Sequence, residues 1–91
     1  MYSVWKFPLK AEERQLLEVP LHSKILSVNT VNEEMVVYAL VNTEQTEKEF
    51  KEVRVYGTGH NIPGGIDNYT FLGTTEIISN FGTLVFHVFY Q

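Results

Sequence analysis

Arg54, Tyr56 and Thr58 stand at alternate positions of "RVYGTGH", with His60 two residues further on and Gly57 and Gly59 interleaved. In an extended chain that spacing sends Arg54, Tyr56 and Thr58 to one face. A guanidinium, a phenol ring, a hydroxyl and an imidazole so grouped suit a phosphate, a ribose and a base. The glycines add a backbone that can approach a ligand closely and align successive N–H groups into an anion-gripping nest. On this reading Arg54, Tyr56, Gly57, Thr58, Gly59 and His60 form a ligand-binding loop. Arg54, Thr58 and His60 hold phosphate or ribose, and Tyr56 stacks on the base. The plainer reading of the same glycines is turn geometry, in which His60 caps its own loop.

The loop fits no standard phosphate fingerprint. A Walker loop needs a lysine after its second glycine, and the dinucleotide motif needs three spaced glycines and a following helix. His87, in "FHVF", is a possible second ligand contact, or a sheet histidine whose ring nitrogens are paired by neighbouring groups. Two histidines on separate strands suggest the two-histidine phosphodiesterases, but the triplets here are "HNI" and "HVF" and lack the hydroxyl residue. Ser3, Ser23, Ser27 and Ser79 have no recognisable elbow or base partner. Three dispersed histidines show no metal-ligand spacing. Glu12-Glu13 and Glu33-Glu34 are sequence neighbours that an extended chain points to opposite faces. The expectation is therefore a non-enzymatic protein with no catalytic residue, metal or cofactor.

The elements that must position these side chains are strands. Period-2 alternation runs through "YSVWKFPL", where Trp5, Phe7 and Leu9 share a face and Pro8 marks an edge strand or a strand end. Residues 25–31 and 35–41 read as a hairpin turning at Asn32 to Glu34, its second arm so apolar that both faces must be covered. "KEVRVYG" turns Val53 and Val55 inward and Glu52, Arg54 and Tyr56 outward. "YTFLGTTEI" forms a strand with a bulge at Gly73. "TLVFHVFYQ" puts Leu84, Phe86, Val88 and Tyr90 on one apolar face. Ala11 to Leu17 admits helix or strand, with a short strand favoured, and Thr75 to Asn80 is a second place where helix is possible. The expected fold is all-β: one small domain over residues 1–91, a sandwich or partly open barrel of about seven short strands.

Composition bounds the rest. At 91 residues, 44% hydrophobic and 13% aromatic, the chain buries only about 60 to 65% of its unfolded surface, so oligomerisation is a natural support. Its aromatic residues exceed what so small a core holds, and they suit a subunit interface. Seven scattered Lys and Arg and a net charge of -4 argue against broad contact with a long nucleic acid. No run of about 18 apolar residues points to a membrane. Absence of cysteine excludes disulfides and thiolate chemistry.

The ordered set "VWKFPL", "ILSV" with "YALV", "VYGTGHNIP" and "LVFHVFYQ" resembles a family of small uncharacterised proteins that recur in bacteriophage genomes. The resemblance is most specific at Tyr56 to His60 and at Phe86 to Phe89. This chain departs from it in Asn61, where relatives often carry proline, and in Tyr38 and Phe86, where they often carry tryptophan. The resemblance implies a phage accessory protein acting in the cytoplasm of the infected bacterial host. Two functions suit such a protein. One is a homo-oligomeric binder that sequesters a small nucleotide-like ligand, a nucleotide signal of host antiviral defence. The other is an interaction module that binds and inhibits a host protein.

Overall fold

The computed structural model describes all residues from 1 to 91. Seven strands follow in order: β1 (Tyr2–Pro8), β2 (Arg14–Pro20), β3 (Lys24–Val31), β4 (Glu34–Asn42), β5 (Lys48–Gly57), β6 (Thr70–Ser79) and β7 (Gly82–Tyr90). They form two antiparallel sheets, ordered β1-β4-β3 and β2-β5-β7-β6. The sheets pack as a β-sandwich and do not close into a barrel, which decides between the two architectures that the alternation allowed. β3 runs beside β6, where the Thr30 and Thr75 hydroxyls bond across the layers at 2.6 Å.

The core is built from the inward rows of the central strands. Met35, Val37, Ala39 and Val41 of β4 meet Val53 and Val55 of β5 and Val88 of β7, with Leu17, Val19 and Ile25 completing the layer. Phe86, Tyr90, Leu72 and Ile77 pack against this cluster from its rim. β-Branched residues dominate because their stiff side chains fit a pleated, half-buried surface.

The β3–β4 hairpin turns where the sequence places it. Asn32 and Glu33 both take left-handed backbone angles, φ 49° and 67°, the primed geometry that matches the twist of the flanking strands. The register of β6 against β7 shifts between Phe71 and Gly73, so the bulge also forms. Ala11 to Leu17 and Thr75 to Asn80 contain no helix; β2 and β6 occupy them, and the one helical element is a 3-10 turn at Ile66–Asn68. Thr74, Thr75, Ile77 and Ile78 are β-branched, and β7 supplies a full-length antiparallel partner for them.

Tyr56 corrects the simple alternation rule. It lies on the Glu52–Arg54 face of β5, away from the core, yet only 1% of it is exposed. Residues 63–66 and Tyr69 fold back over that face and line a recess with Arg54 and Tyr56, while Phe89 packs edge-on against the Tyr56 ring at 6.4 Å.

Candidate functional site

The antiparallel register brings the two histidine motifs together. Tyr56 stands opposite His87 on β7, and His87 stands opposite Thr74 on β6. Thr58 continues the ladder one residue past β5, donating its N–H to the Val85 carbonyl at 3.2 Å. Its hydroxyl then meets His87 Nε2 at 2.7 Å, and the Thr74 hydroxyl meets His87 Nδ1 at 2.9 Å. A neutral imidazole donates from one nitrogen and accepts at the other, and a threonine hydroxyl can take either role. His87 is thus fully engaged: instead of offering a free second contact, it holds Thr58 in place. The Thr58 hydroxyl retains capacity for one further partner.

His60 is positioned by the glycines. Its N–H donates to the Gly57 carbonyl at 3.1 Å, and its ring lies where a side chain at residue 57 would begin: a Cβ there would sit 2.8 Å from His60 Cε1. Gly59 takes φ 85°, which non-glycine residues reach only with strain. Both glycines of "GTGH" therefore serve geometry, and the geometry serves His60. Gly57→Ala is expected to swing the exposed His60 ring off the strand while shifting the thermal midpoint by less than about 4 °C, the equivalent of under 1 kcal/mol. The His60 ring resonances in NMR spectra, moving toward free-histidine values, would check this.

The anion nest foreseen from the glycines does not form. The N–H groups of Thr58 and His60 are both committed to protein carbonyls, so no two successive amides of this segment are free to grip an anion. What the loop does build is a recess of about 450 Å³, bounded by Gly57, Thr58 and His60 on one side and by residues 83 to 86 on the other. Its polar lining residues are Thr58, Thr83 and His60; the His60 ring lies over Gly57 on the Leu84 and Phe86 side, and the Thr58 hydroxyl turns to the His87 side.

Arg54 and Tyr56 belong to a different cluster. Glu52 accepts from Arg54 Nε at 2.7 Å, from Arg14 at 3.1 Å and from the Tyr69 hydroxyl. Arg54 also donates to the Tyr56 hydroxyl at 3.1 Å and lies over the Tyr69 ring, 5.3 Å from its centre. Arg54 is four residues along a strand from Thr58, about 13 Å. It acts as a clamp that ties Tyr69, and with it the end of the glycine loop, to the sheet. Base stacking on Tyr56 is excluded in this arrangement because its ring is covered.

The clamp is ionised by design. The Tyr69 hydroxyl and the Arg54 guanidinium lower the Glu52 pKa from its ordinary 4.5 to about 2, and the same bond to Glu52 raises that of Tyr69. A carboxylate depressed on folding contributes stability that is complete above its unfolded pKa and is lost as pH falls toward the folded one. Acid is therefore expected to loosen Tyr69 and the loop between about pH 4.5 and 2, and Glu52→Gln is expected to flatten that transition. Hydrogen exchange at residues 66 to 70 across the range would measure it.

The structure thus joins Gly57, Thr58 and His60 around one recess, with Gly59 only setting the backbone between them, and leaves Arg54, Tyr56 and His87 outside its lining. Strand alternation does not reveal the parts of Thr74, Glu52, Tyr69 and Thr83 in these clusters. Of these only Glu52 had a local signal, an opposite charge two residues from Arg54 on one strand face. No group of three or more histidine and carboxylate side chains is placed to hold a metal ion, and no helix is long and apolar enough to cross a membrane. Over residues 1–91 the sequence matches a domain of unknown function, DUF7352. The chain belongs to the DUF7352 family. Comparison with curated proteins and with solved structures returns no match. The match spans both halves of the Thr58–His87 link, so one DUF7352 domain contains the whole recess and its support.

Proposed function

We propose that this DUF7352 chain is a non-enzymatic binding protein that captures a small nucleotide-like ligand in the recess beside the Gly57–His60 loop. The supporting observation is the His60 imidazole, held over Gly57 beside Leu84 and Phe86 in a recess of about 450 Å³ that Thr58 and Thr83 also line. That volume is on the scale of small-molecule sites, which combine apolar walls with a few fixed polar groups. The Thr58 hydroxyl and His60 imidazole suit ribose or phosphate oxygens, and Phe86 and Leu84 offer apolar contact to a base. Polar groups immobilised before binding need not be ordered by the ligand, which favours affinity. The resemblance to phage proteins supports sequestration of a defence nucleotide in the cytoplasm of the infected bacterium as the use of such a site. Titration with a panel of nucleotides, followed by amide NMR, tests it: shifts are expected at residues 57 to 60 and 83 to 86, and their absence for every nucleotide class contradicts it.

One observation favours a second reading, capture of a host protein. Phe81 at the β6–β7 tip is wholly exposed and Ile78 beside it 73% exposed, an apolar projection suited to a partner. A stoichiometric partner pulled from bacterial lysate that survives His60→Ala and is lost with Phe81→Ser would support this reading.

A further inference from the structure

The edge of β2 is built to pair with itself. β2 has β5 on one side only, in the register Arg14↔Arg54, Leu16↔Glu52 and Glu18↔Phe50. Leu21 donates to the Glu47 carbonyl and the Glu13 carbonyl accepts from Val55, so odd-numbered residues bond to β5 and the N–H and C=O groups of Arg14, Leu16 and Glu18 point away from it. Pro20, without an N–H, ends the row. The exposed side chains of this strand are Arg14, Leu16 and Glu18, and apolar surface is presented by Leu16, 64% exposed, and by Phe50 on β5, 61% exposed.

Charge selects the partner and the register. Arg14 and Arg54 stand directly opposite each other with one carboxylate, Glu52, bridging both. Arg14 therefore retains positive charge that one more carboxylate would neutralise. Two β2 strands running antiparallel with Leu16 facing Leu16 put each Arg14 opposite Glu18 of the second copy. Sliding by two positions at each strand brings Arg14 against Arg14 or Glu18 against Glu18, which is destabilising for cross-strand neighbours. Of the remaining edges, β3 and β6 run beside each other, and β1 contains Lys6 and no acidic residue, so pairing it with itself forms no ion pair. A recess of about 530 Å³ between Pro8, Lys10 and the start of β2 leaves room beside that edge. The accessible surface, 6015 Å² for a 10.5 kDa chain, exceeds the roughly 5,400 Å² usual for a monomer of that mass.

We propose that a second copy of this chain docks along β2, forming a two-fold dimer in which the two four-stranded sheets become one continuous sheet. Three facing pairs exchange about six backbone hydrogen bonds. The two-fold axis passes beside Leu16, and the Arg14–Glu18 pairs flank it. Arg14 then links the interface through Glu52 to the clamp that holds Tyr69. The proposal is independent of any ligand.

Sedimentation of the full chain at about 100 μM, well above a micromolar dissociation constant, is expected to show twice the 10.5 kDa chain mass. E18R and R14E each place like charges at both flanking pairs, and each alone is expected to associate at least tenfold more weakly. Mixed together they restore opposite charges at both pairs and are expected to form a heterodimer. Because the chain has no cysteine, L16C gives an independent readout: a hydrogen-bonded antiparallel pair sets the two Cα atoms about 5.5 Å apart, within disulfide reach, so mild oxidation is expected to yield a covalent dimer. A monomeric wild type, a mixture that stays monomeric although both variants show native far-ultraviolet dichroism, or L16C that fails to cross-link would each overturn the proposal.

Discussion

Tyr56→Ala is expected to destabilise the fold by about 3 to 5 kcal/mol. Tyr56 is the largest of the fully buried side chains, and removing such a ring from a packed site costs about 3 to 5 kcal/mol. A domain of this length has about 5 to 14 kcal/mol in total. The phenol also accepts from Arg54 and packs against Phe89, so the cavity opens beneath the clamp. Tyr56→Phe keeps the ring and loses only the bond to Arg54, a change of about 1 kcal/mol. Urea denaturation of the two variants separates packing from polarity. A Tyr56→Ala protein as stable as wild type, with ligand binding lost, would restore Tyr56 as an exposed stacking contact and contradict its placement under the loop.

His60→Ala has the opposite signature. The ring is exposed and lies over Gly57, so global stability is expected to change by less than about 0.5 kcal/mol. Ligand affinity is expected to fall at least tenfold, about 1.4 kcal/mol. Thr58→Val shares this direction, because valine keeps the shape and loses the hydroxyl while His87 can turn to water. Calorimetric titration beside a denaturation curve reads both quantities. Equal binding by wild type and His60→Ala would remove the imidazole from the site.

The chain's strands were legible because alternation is a direct image of which face is buried. It shows in Val53 and Val55, in the even row of β7 and in the apolar run of β4. Ala11 to Leu17 was ambiguous because its residues form helices well in isolation. Only pairing with β5, more than thirty residues away, decides for a strand. The same separation hid the heart of the site. Thr58 and His87 are visible in sequence as parts of two motifs, but their hydrogen bond depends on the β5–β7 register, and Thr74 reaches His87 only after the bulge near Gly73 has reset β6. Alternation shows that Glu52 and Arg54 share a face but not that they bond, and Tyr69, which covers Arg54, is brought there by the fold of the loop. The glycines that suggested a phosphate nest are explained by the space His60 needs and by the φ of Gly59.

The central claim is that the recess beside Thr58 and His60 holds a small nucleotide-like ligand. Its most direct test is mass spectrometry of what the denatured protein releases after incubation with lysate from bacteria whose antiviral nucleotide signalling has been activated. The expected result is a single phosphorus-containing nucleotide, released in stoichiometric amount by wild type and Tyr56→Phe and absent from the Thr58→Val/His60→Ala double variant. Release of no nucleotide by wild type, or equal release by the double variant, would contradict it.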